Sequence, residues 1–307
     1  MSRPTRVLVT GAGGQVGVDL VDVLNGVTPL GGDATFQPDE RVGGNEFEVL
    51  GLTHHELDVT DRDAVLRSLT HSRPDVIVHL AAYTAVDRAE SDVDACFAVN
   101  ERGTAHMSWA AREVGAHLVA ISTDYVFDGR KGAAYDEDDE PHPLNVYGAS
   151  KRAGELTCTV EDSVVRTSWV MGVRGKNVVH TIADRATSGA DVRFVNDQTG
   201  TVTASSDLAR ALVAFVRERP GGLWHVANTG ATTWYEIAAY VGALLGRDEN
   251  FVTPIESREL AALQVATRPT RSDLDTHKFA ARWKALPEWH AAVERLVNDR
   301  RFLETTT

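Results

Sequence analysis

The chain has 307 residues, 43% of them hydrophobic and 24% charged, and carries a formal net charge of −13. That length allows one large or two moderate domains with a full core. The acidic balance argues against a nucleic-acid surface, which needs a basic patch, and no run of about 18 apolar residues is present to span a membrane. The N-terminus, MSRPTRVLVTG, enters an apolar strand with no apolar signal region or cleavage site, so the expected location is the cytoplasm. Cys96 and Cys158 lack metal-ligand spacing and read as reduced, structural thiols.

Short apolar runs then alternate with helical patterns. RVLVTG (6–11) predicts a strand and QVGVDLVDVL (15–24) a helix; FEVLGL (47–52) and DRDAVLRSLT (61–70) repeat the pair. DVIVHLAA (75–82) predicts a third strand, followed by a long helix from about Asp92 to Val114. HLVAIS (117–122) is a fourth strand, and a helix from about Tyr147 to Val160 precedes a fifth, VVRTSWV (164–170). Strands apolar on both faces belong in a covered parallel sheet. Their alternation with helices implies right-handed crossovers and an α/β, Rossmann-type doubly wound fold. After about residue 172 the pattern loosens into helices at 176–188, 206–218 and 233–245, separated by short strands such as VRFV and LWHVAN. The expected division is a dinucleotide-binding domain, 1–172, and a smaller mixed α/β substrate lobe, 173–307, interleaved with the first. The segment 25–46, rich in Gly, Pro and acid, reads as a surface insertion.

TGAGGQVG (10–17) closes the first strand and opens the first helix. Gly11, Gly14 and Gly17, with Gly13 between them, let backbone approach a pyrophosphate, and the helix start at Gln15 and Val16 supplies N–H groups and a positive dipole end. An acid that reads the ribose belongs about 20 residues further on. Counting lands on Asp39, inside the insertion with no strand before it, and that assignment is rejected. The second strand ends at Leu52–Thr53, followed by His54 and His55. Neither a carboxylate for a free ribose nor an arginine for a phosphate stands there, so NADPH and NADH both remain open. Asp58 and Val59 in LDVTD follow the second strand toward the adenine. Ala81 and Ala82 in LAAYT, with Tyr83 beside them, are small enough for a dinucleotide to pass closely. His79 reads as a satisfied core histidine, and the acidic run YDEDDEP (135–141) as a solvated loop.

STDYVFDG (122–129) places Thr123, Asp124 and Tyr125 at the end of the fourth strand. Tyr147 and Lys151 in YGASK are four residues apart and share a helix face. A free phenol has a pKa of about 10. A lysine cation roughly 4–5 Å away, at an effective dielectric of about 20, favours phenolate by about 3–4 kcal/mol. Lowered in this way, Tyr147 becomes a proton donor to a carbonyl.

The glycine motif, the hydroxyl after a later strand and the YxxxK pair together resemble the extended short-chain dehydrogenase/reductase family, over nearly the whole chain. The resemblance implies that Tyr147 is the catalytic acid/base, that Lys151 holds the nicotinamide ribose and lowers the tyrosine pKa, and that Thr123 bonds the substrate oxygen. It also implies that Asn100 in AVNERGT is the family's asparagine on the long helix. Dehydratases of the family carry Thr-Asp-Glu where this chain has Thr123-Asp124-Tyr125. One carboxylate cannot both protonate a departing hydroxyl and remove a ring proton, so dehydration is disfavoured. STDYVFDG, LNVYGASK, VVRTSWV, VNDQTGTVT and RPTRSDLDTHKF (268–279) are similar to family members that reduce 4-keto sugar nucleotides. This implies NAD(P)H-dependent reduction of dTDP-4-dehydro-L-rhamnose to dTDP-L-rhamnose, with Asp124, Tyr125 and Trp169 against the substrate. Val202 replaces the proline usual in DQxGxPT, a change expected to alter the nucleotide side of the pocket. Some relatives are dimers joined by magnesium through glutamates; the matching first-helix position is Asp19, a single shorter carboxylate, so no metal site is expected and the chain is a monomer or homodimer. Two other readings compete: an NADP-binding regulatory subunit of a synthetase, and a reductase making a related deoxysugar nucleotide.

Overall fold

The computed structural model describes residues 3–29, 32, 46–260 and 264–299. Most of the expected insertion, including Asp39, lies outside the described residues. In the first half the elements are β1 (Thr5–Thr10), α1 (Gln15–Leu24), β2 (Phe47–Leu52), α2 (Arg62–Ser72), β3 (Val76–His79), α3 (Val86–Ala89), α4 (Val93–Phe97), α5 (Thr104–Val114), β4 (His117–Thr123), α6 (Val146–Glu155) and β5 (Ser163–Thr167). The second half adds β6 (Val170–Met171), α7 (Val178–Thr187), β7 (Val192–Val195), β8 (Thr199–Thr201), β9 (Thr203–Ala204), α8 (Ser205–Glu218), β10 (Gly222–His225), β11 (Ala231–Thr233), α9 (Trp234–Leu244), β12 (Val252–Ile255), α10 (His277–Arg282) and α11 (Trp289–Asn298).

Among the described residues, six strands form one sheet in the order β10-β5-β4-β3-β1-β2, each neighbouring pair parallel. One face packs Val7, Val9, Val78, Val119 and Val165 against α1 and α8; the other packs Leu8, Ile77, Leu118 and Ala120 against α2 and α5. Burial on both faces is why these strands read as unbroken apolar runs. The sheet is wound outward in both directions from β1 and β3, and open sheets of this order bind ligands outside the carboxyl ends of the strands at such a switch point. No helix among the described residues is long and apolar enough to cross a membrane.

The structure departs from the sequence expectations at specific places. The long helix is one path with a π-helical section, Ala98–Gly103, between α4 and α5. The fifth strand stops at Thr167, because Trp169 adopts a left-handed φ of 42° and turns Val170–Met171 to pair with β9 instead. A cut at residue 172 does not separate the two cores. Helix α8 packs on α1, and β10 extends the main sheet beside β5, so 205–225 belongs with the first half. A second cluster, built around Met171, Ile182, Ile237, Phe251 and Trp289, forms the smaller lobe. Val202 is wholly buried in that cluster, so the residue replacing proline is part of a core. The acidic run is only partly solvated: Tyr135 stacks on Phe127 at 4.0 Å, and Glu137 accepts from the His225 N–H at 2.8 Å.

Two buried ionic contacts tie the elements together. Glu155 at the end of α6 grips Arg166 of β5 with two bonds of 2.8 Å, the side chains 4% and 1% exposed. Asp19 of α1 is buried and accepts from the Ser205 hydroxyl of α8 at 2.5 Å. Its burial pushes the carboxyl up to about 6, against the opposing pull of Ser205 and Arg174.

Removing Glu155 leaves the Arg166 cation buried without its partner. Glu155→Ala is expected to cost about 3–5 kcal/mol, the usual penalty for breaking a buried pair, read as a lower denaturant midpoint. The raised Asp19 pKa means that the folded state holds a proton the unfolded chain has released. Its contribution therefore favours folding at low pH and is lost as pH rises from about 3.8 to about 6. Asp19→Asn should flatten the fall of unfolding free energy over that window, followed by urea denaturation at several pH values.

A candidate active site at the carboxyl edge of the sheet

The turn after β1 is shaped by glycines for close approach. Gly11 has φ 67°, and a Cβ there would meet the Ala81 backbone N at 2.7 Å. A Cβ on Gly17 would lie 2.2 Å from the Gly11 carbonyl oxygen, so α1 starts directly on the loop. At Gly13 an added Cβ would meet only a Thr53 methyl, at 3.5 Å. Gly14 is the N-cap of α1 and brings no side-chain cap, and the first turn has no acid. The first-turn N–H groups of Gln15, Val16 and Gly17 can therefore serve an anion, and this donor set fits a dinucleotide pyrophosphate. The Gln15 side chain goes elsewhere: its Oε1 accepts from Asn177 Nδ2 at 3.2 Å, toward the smaller lobe.

The next loops flank that turn. Asp58 is exposed, and its Oδ1 accepts from the Thr60 N–H at 2.8 Å and the Thr60 hydroxyl at 2.7 Å. Val59 is buried, its carbonyl 3.0 Å from His106 Nδ1. His54 and His55 sit edge-to-face at 4.1 Å, both exposed. After β3, Ala81 and Ala82 lead to Tyr83, whose backbone is clamped by Asn100. The buried Asn100 amide accepts from Tyr83 N at 2.8 Å, donates to Tyr83 O at 3.0 Å and donates to Ser150 Oγ of α6 at 2.9 Å. The Tyr83 hydroxyl is committed to Asp92, at 2.9 Å. His79 is only half-satisfied: Nδ1 lies 2.8 Å from Thr10 Oγ1, while the buried Nε2 has no partner. Burial first, and the nearby Lys151 second, hold this histidine down to about 3.

Helix α6 brings Tyr147 and Lys151 to the same edge. Its N-cap Asn145 accepts from Gly148 N at 2.8 Å. A Cβ on Gly148 would sit 2.1 Å from the Tyr125 carbonyl oxygen, so the helix rests on the turn after β4. That contact sets Tyr147 beside the turn that carries Thr123, with its ring edge-to-face on Tyr125 at 5.9 Å. Burial pushes the phenol up to about 12, with the Thr123 hydroxyl opposing and the Asp124 charge adding to the rise. Lys151 is 7% exposed and donates to the Ile121 carbonyl at 2.5 Å. Burial lowers its ammonium to about 8, and Glu155 resists that fall. The lowered phenol anticipated from the YxxxK spacing is thus not the balance in the protein alone: burial dominates, and the Lys151 ammonium is turned to the Ile121 carbonyl.

The neighbours of Thr123 separate in role. Asp124 is buried; its Oδ1 accepts from Thr123 at 3.1 Å and its Oδ2 from Ser272 Oγ at 2.6 Å. Burial raises this carboxyl to about 6, against those two bonds. Each Asp124 oxygen thus accepts from one protein hydroxyl, which leaves acceptor capacity on both for a further partner. Tyr125 is half-buried and meets the Tyr147 ring edge-to-face at 5.9 Å. Trp169 stacks on Trp234 at 4.0 Å and packs so closely on Gly200 that a Cβ there would meet the indole at 2.6 Å. Sequence reading missed Asn145, Ser150, Arg268 and Ser272. Asn145, just before the helix, carried an N-cap signal; Ser272 meets Asp124 across 148 residues, and no local pattern announces that. Among the described residues no group of three or more His, Cys, Asp or Glu could hold a metal ion, and Asp19 is occupied by Ser205.

The family profile described as RmlD substrate binding domain matches residues 5–302. A dTDP-4-dehydrorhamnose reductase of Streptomyces griseus is 40% identical over 305 residues, covering 95% of this chain and 92% of that protein. A dTDP-4-keto-6-deoxy-D-glucose reductase of Streptomyces niveus is 36% identical, covering 86% and 87%. The crystal structure of dTDP-4-dehydrorhamnose reductase from Bacillus anthracis in complex with NADP superposes with a TM-score of 0.84 at 32% identity, covering 95% of this chain and 98% of that one. A profile matched from the first strand to beyond the last helix, on a sheet of this form, shows that the chain belongs to the RmlD substrate-binding-domain family of Rossmann-type nucleotide-sugar reductases.

Proposed function

We propose that the protein reduces the 4-keto group of dTDP-4-dehydro-L-rhamnose to dTDP-L-rhamnose with NADPH or NADH. The observation that carries this reading is the docking of Tyr147 and Lys151 of α6 against the end of β4 that carries Thr123, through Gly148 on the Tyr125 carbonyl and Lys151 on the Ile121 carbonyl, at the sheet edge that also holds the glycine loop. The names of the S. griseus and B. anthracis relatives, and the NADP in the latter, support it. The glycine loop, Asp58–Val59, Ala81–Tyr83 and Lys151 would hold the dinucleotide. Residues 1–172 together with 205–225 would form the cofactor part and the remainder the sugar-nucleotide part. The protein would work in the cytoplasm as a monomer or homodimer.

The bound dinucleotide supplies a hydride to carbon 4. The chain supplies the rest. A phenol held near 12 remains protonated at neutral pH, so Tyr147 enters the reaction as a donor. Its proton goes to the oxygen that becomes the 4-hydroxyl, while Thr123 holds that oxygen in line. The tyrosinate left behind is stabilised by the Lys151 cation, then regains a proton from solvent. Lys151, at about 8, can exchange protons near neutral pH. In the protein alone the Thr123 hydroxyl donates to Asp124 Oδ1, and it must turn from that carboxylate to donate to the substrate oxygen. The S. niveus relative favours a second reading, reduction of a related 4-keto deoxysugar nucleotide. Product stereochemistry by NMR separates the two.

Tyr147→Phe should lower turnover of dTDP-4-dehydrorhamnose, followed by NADPH consumption, by at least ~100-fold, the low end for general acid catalysis. Unchanged turnover would sink the assignment. Gly17→Ala places a Cβ 2.2 Å from the Gly11 carbonyl. It should raise the Kd for NADPH about tenfold or more, measured by calorimetry, with the circular dichroism spectrum retained.

A further inference from the structure

A hydroxyl has one hydrogen and two acceptor lone pairs, and Thr123 has already used most of that capacity. Its Oγ1 donates its only hydrogen to Asp124 Oδ1 at 3.1 Å and accepts from Tyr125 N at 3.3 Å. One lone pair is left. A ketone oxygen only accepts, so in this arrangement Thr123 has nothing to give a keto sugar. Turning the hydrogen outward while Asp124 is ionised would leave two acceptors 3.1 Å apart with no hydrogen between them. A proton on Asp124 Oδ1 removes that conflict.

The surroundings of Asp124 suit the acid form. The residue is 2% exposed, and its side-chain bonds come from hydroxyls: Thr123 on Oδ1, and Ser272 Oγ on Oδ2 at 2.6 Å. Ser272 is itself held, its N–H donating to the Thr199 carbonyl of β8 at 2.8 Å. The titratable and charged side chains on the elements around Asp124 are Tyr125 on its own turn, Tyr147 and Lys151 on α6, and Arg268, Arg271 and Asp273 on the segment that carries Ser272. Burial keeps both phenols protonated. Lys151 donates to the Ile121 carbonyl, Arg268 grips Asp87 at 3.0 and 2.6 Å, and Arg271 grips Asp273 at 2.7 and 3.2 Å. Among the described residues no cation pairs with Asp124, and a buried carboxyl without one favours its neutral form. Burial raises it to about 6 in the protein alone, against the Ser272 and Thr123 bonds.

We propose that Asp124 is a positioning residue that works as a carboxylic acid: as the keto sugar enters, Asp124 takes up a proton on Oδ1, hydrogen-bonds with it to Thr123 Oγ1, and so turns the Thr123 hydrogen onto the 4-keto oxygen. The donors then run one way, from Ser272 to Asp124 to Thr123 to the substrate. Thr123 is filled, with the Tyr125 N–H and the acid on its two lone pairs and its hydrogen on the ketone. The proton on Asp124 comes from solvent and stays there; the proton that reaches the substrate is still that of Tyr147. The inference rests on the reductase reading.

The test uses the full chain in its dead-end complex with NADP⁺ and dTDP-4-dehydrorhamnose, where the keto oxygen is bound and no hydride is available. Calorimetry at about pH 7.5, in buffers of different ionisation enthalpy, counts the protons taken up as the keto sugar binds; a carboxyl near 6 is ionised there in the free protein. Wild-type protein should take up about one proton per site. Asp124→Asn, whose amide donates to Thr123 without help from solvent, should take up none; Lys151 is present in both, so the difference belongs to Asp124. Difference infrared spectroscopy of the wild type should show a protonated-carboxyl band that appears with the keto sugar, a measurement that stands in if the variant does not fold. In turnover with NADPH, kcat should fall with rising pH on a limb that Asp124→Asn lacks, while that variant stays within about tenfold of wild type. Ser272→Ala removes a bond that favours the carboxylate, so the same limb should move to higher pH, which a merely structural loss would not do. Wild type without proton uptake or the carboxyl band, uptake retained in Asp124→Asn, or a loss of ~100-fold or more in that variant would overturn the proposal. Wild type that binds the keto sugar with proton uptake but consumes no NADPH would overturn the reductase reading alone. Wild type that does not bind the keto sugar would overturn both.

Discussion

The site depends on where helix α6 can lie, and backbone contact decides that. At one end Gly148 rests on the Tyr125 carbonyl; two turns on, Gly154 rests on the Asn100 carbonyl, where a Cβ would sit 2.3 Å away. Neither position has room for a side chain. Lys151 lies between these two contacts, and Tyr147 immediately precedes the first. The helix is therefore docked to the turn after β4 on one side and to the π-helical section on the other, and its two functional side chains inherit that position. Asn100 makes the docking specific, because its amide serves the Tyr83 backbone and the Ser150 hydroxyl of α6 together. The extra residue in a π-turn is what places a side chain in this way. Glu155 and Arg166 then lock the far end of α6 to β5.

The electrostatics of the site follow from its burial. Lys151 at about 8, Tyr147 at about 12, Asp124 at about 6 and His79 at about 3 are all shifted toward their neutral forms. Desolvation is the first cause in each case, and the opposing hydrogen bonds reduce the shift without reversing it. A site of this kind resists free charge, so a donor phenol stays a donor. The price is a set of buried polar groups that must be partnered, and the hydroxyls of Thr123, Ser150 and Ser272 supply much of that partnering.

Much of the fold was legible in the sequence. Of the five strands of the first half, β1, β3, β4 and β5 read as near-continuous apolar runs, and β2 at the sheet edge keeps an exposed Glu48; period and punctuation marked all five within a few residues. The glycine turn was legible because only glycine tolerates the φ of Gly11 and the closeness of Gly17 to it. Tyr147 and Lys151 were legible because helical spacing is a local property. Where the sequence misled, a nonlocal term had won. VVRTSWV reads as one strand, yet Trp169 turns left-handed and its indole stacks on Trp234 in the smaller lobe. The lysine beside Tyr147 reads as a pKa-lowering charge, yet burial dominates.

By itself, then, the sequence determined what repeats along the chain: the strand–helix alternation, the phosphate turn, the YxxxK spacing, and a tyrosine where a dehydratase needs a carboxylate. These depend on neighbours within a turn or two, and local sterics settle them. The tertiary structure alone decided which remote groups meet. Residues 205–225 complete the first sheet, and Arg268 meets Asp87 across 181 residues. It also decided the protonation balance of the site, because desolvation depends on everything packed around a group and no spacing rule contains it.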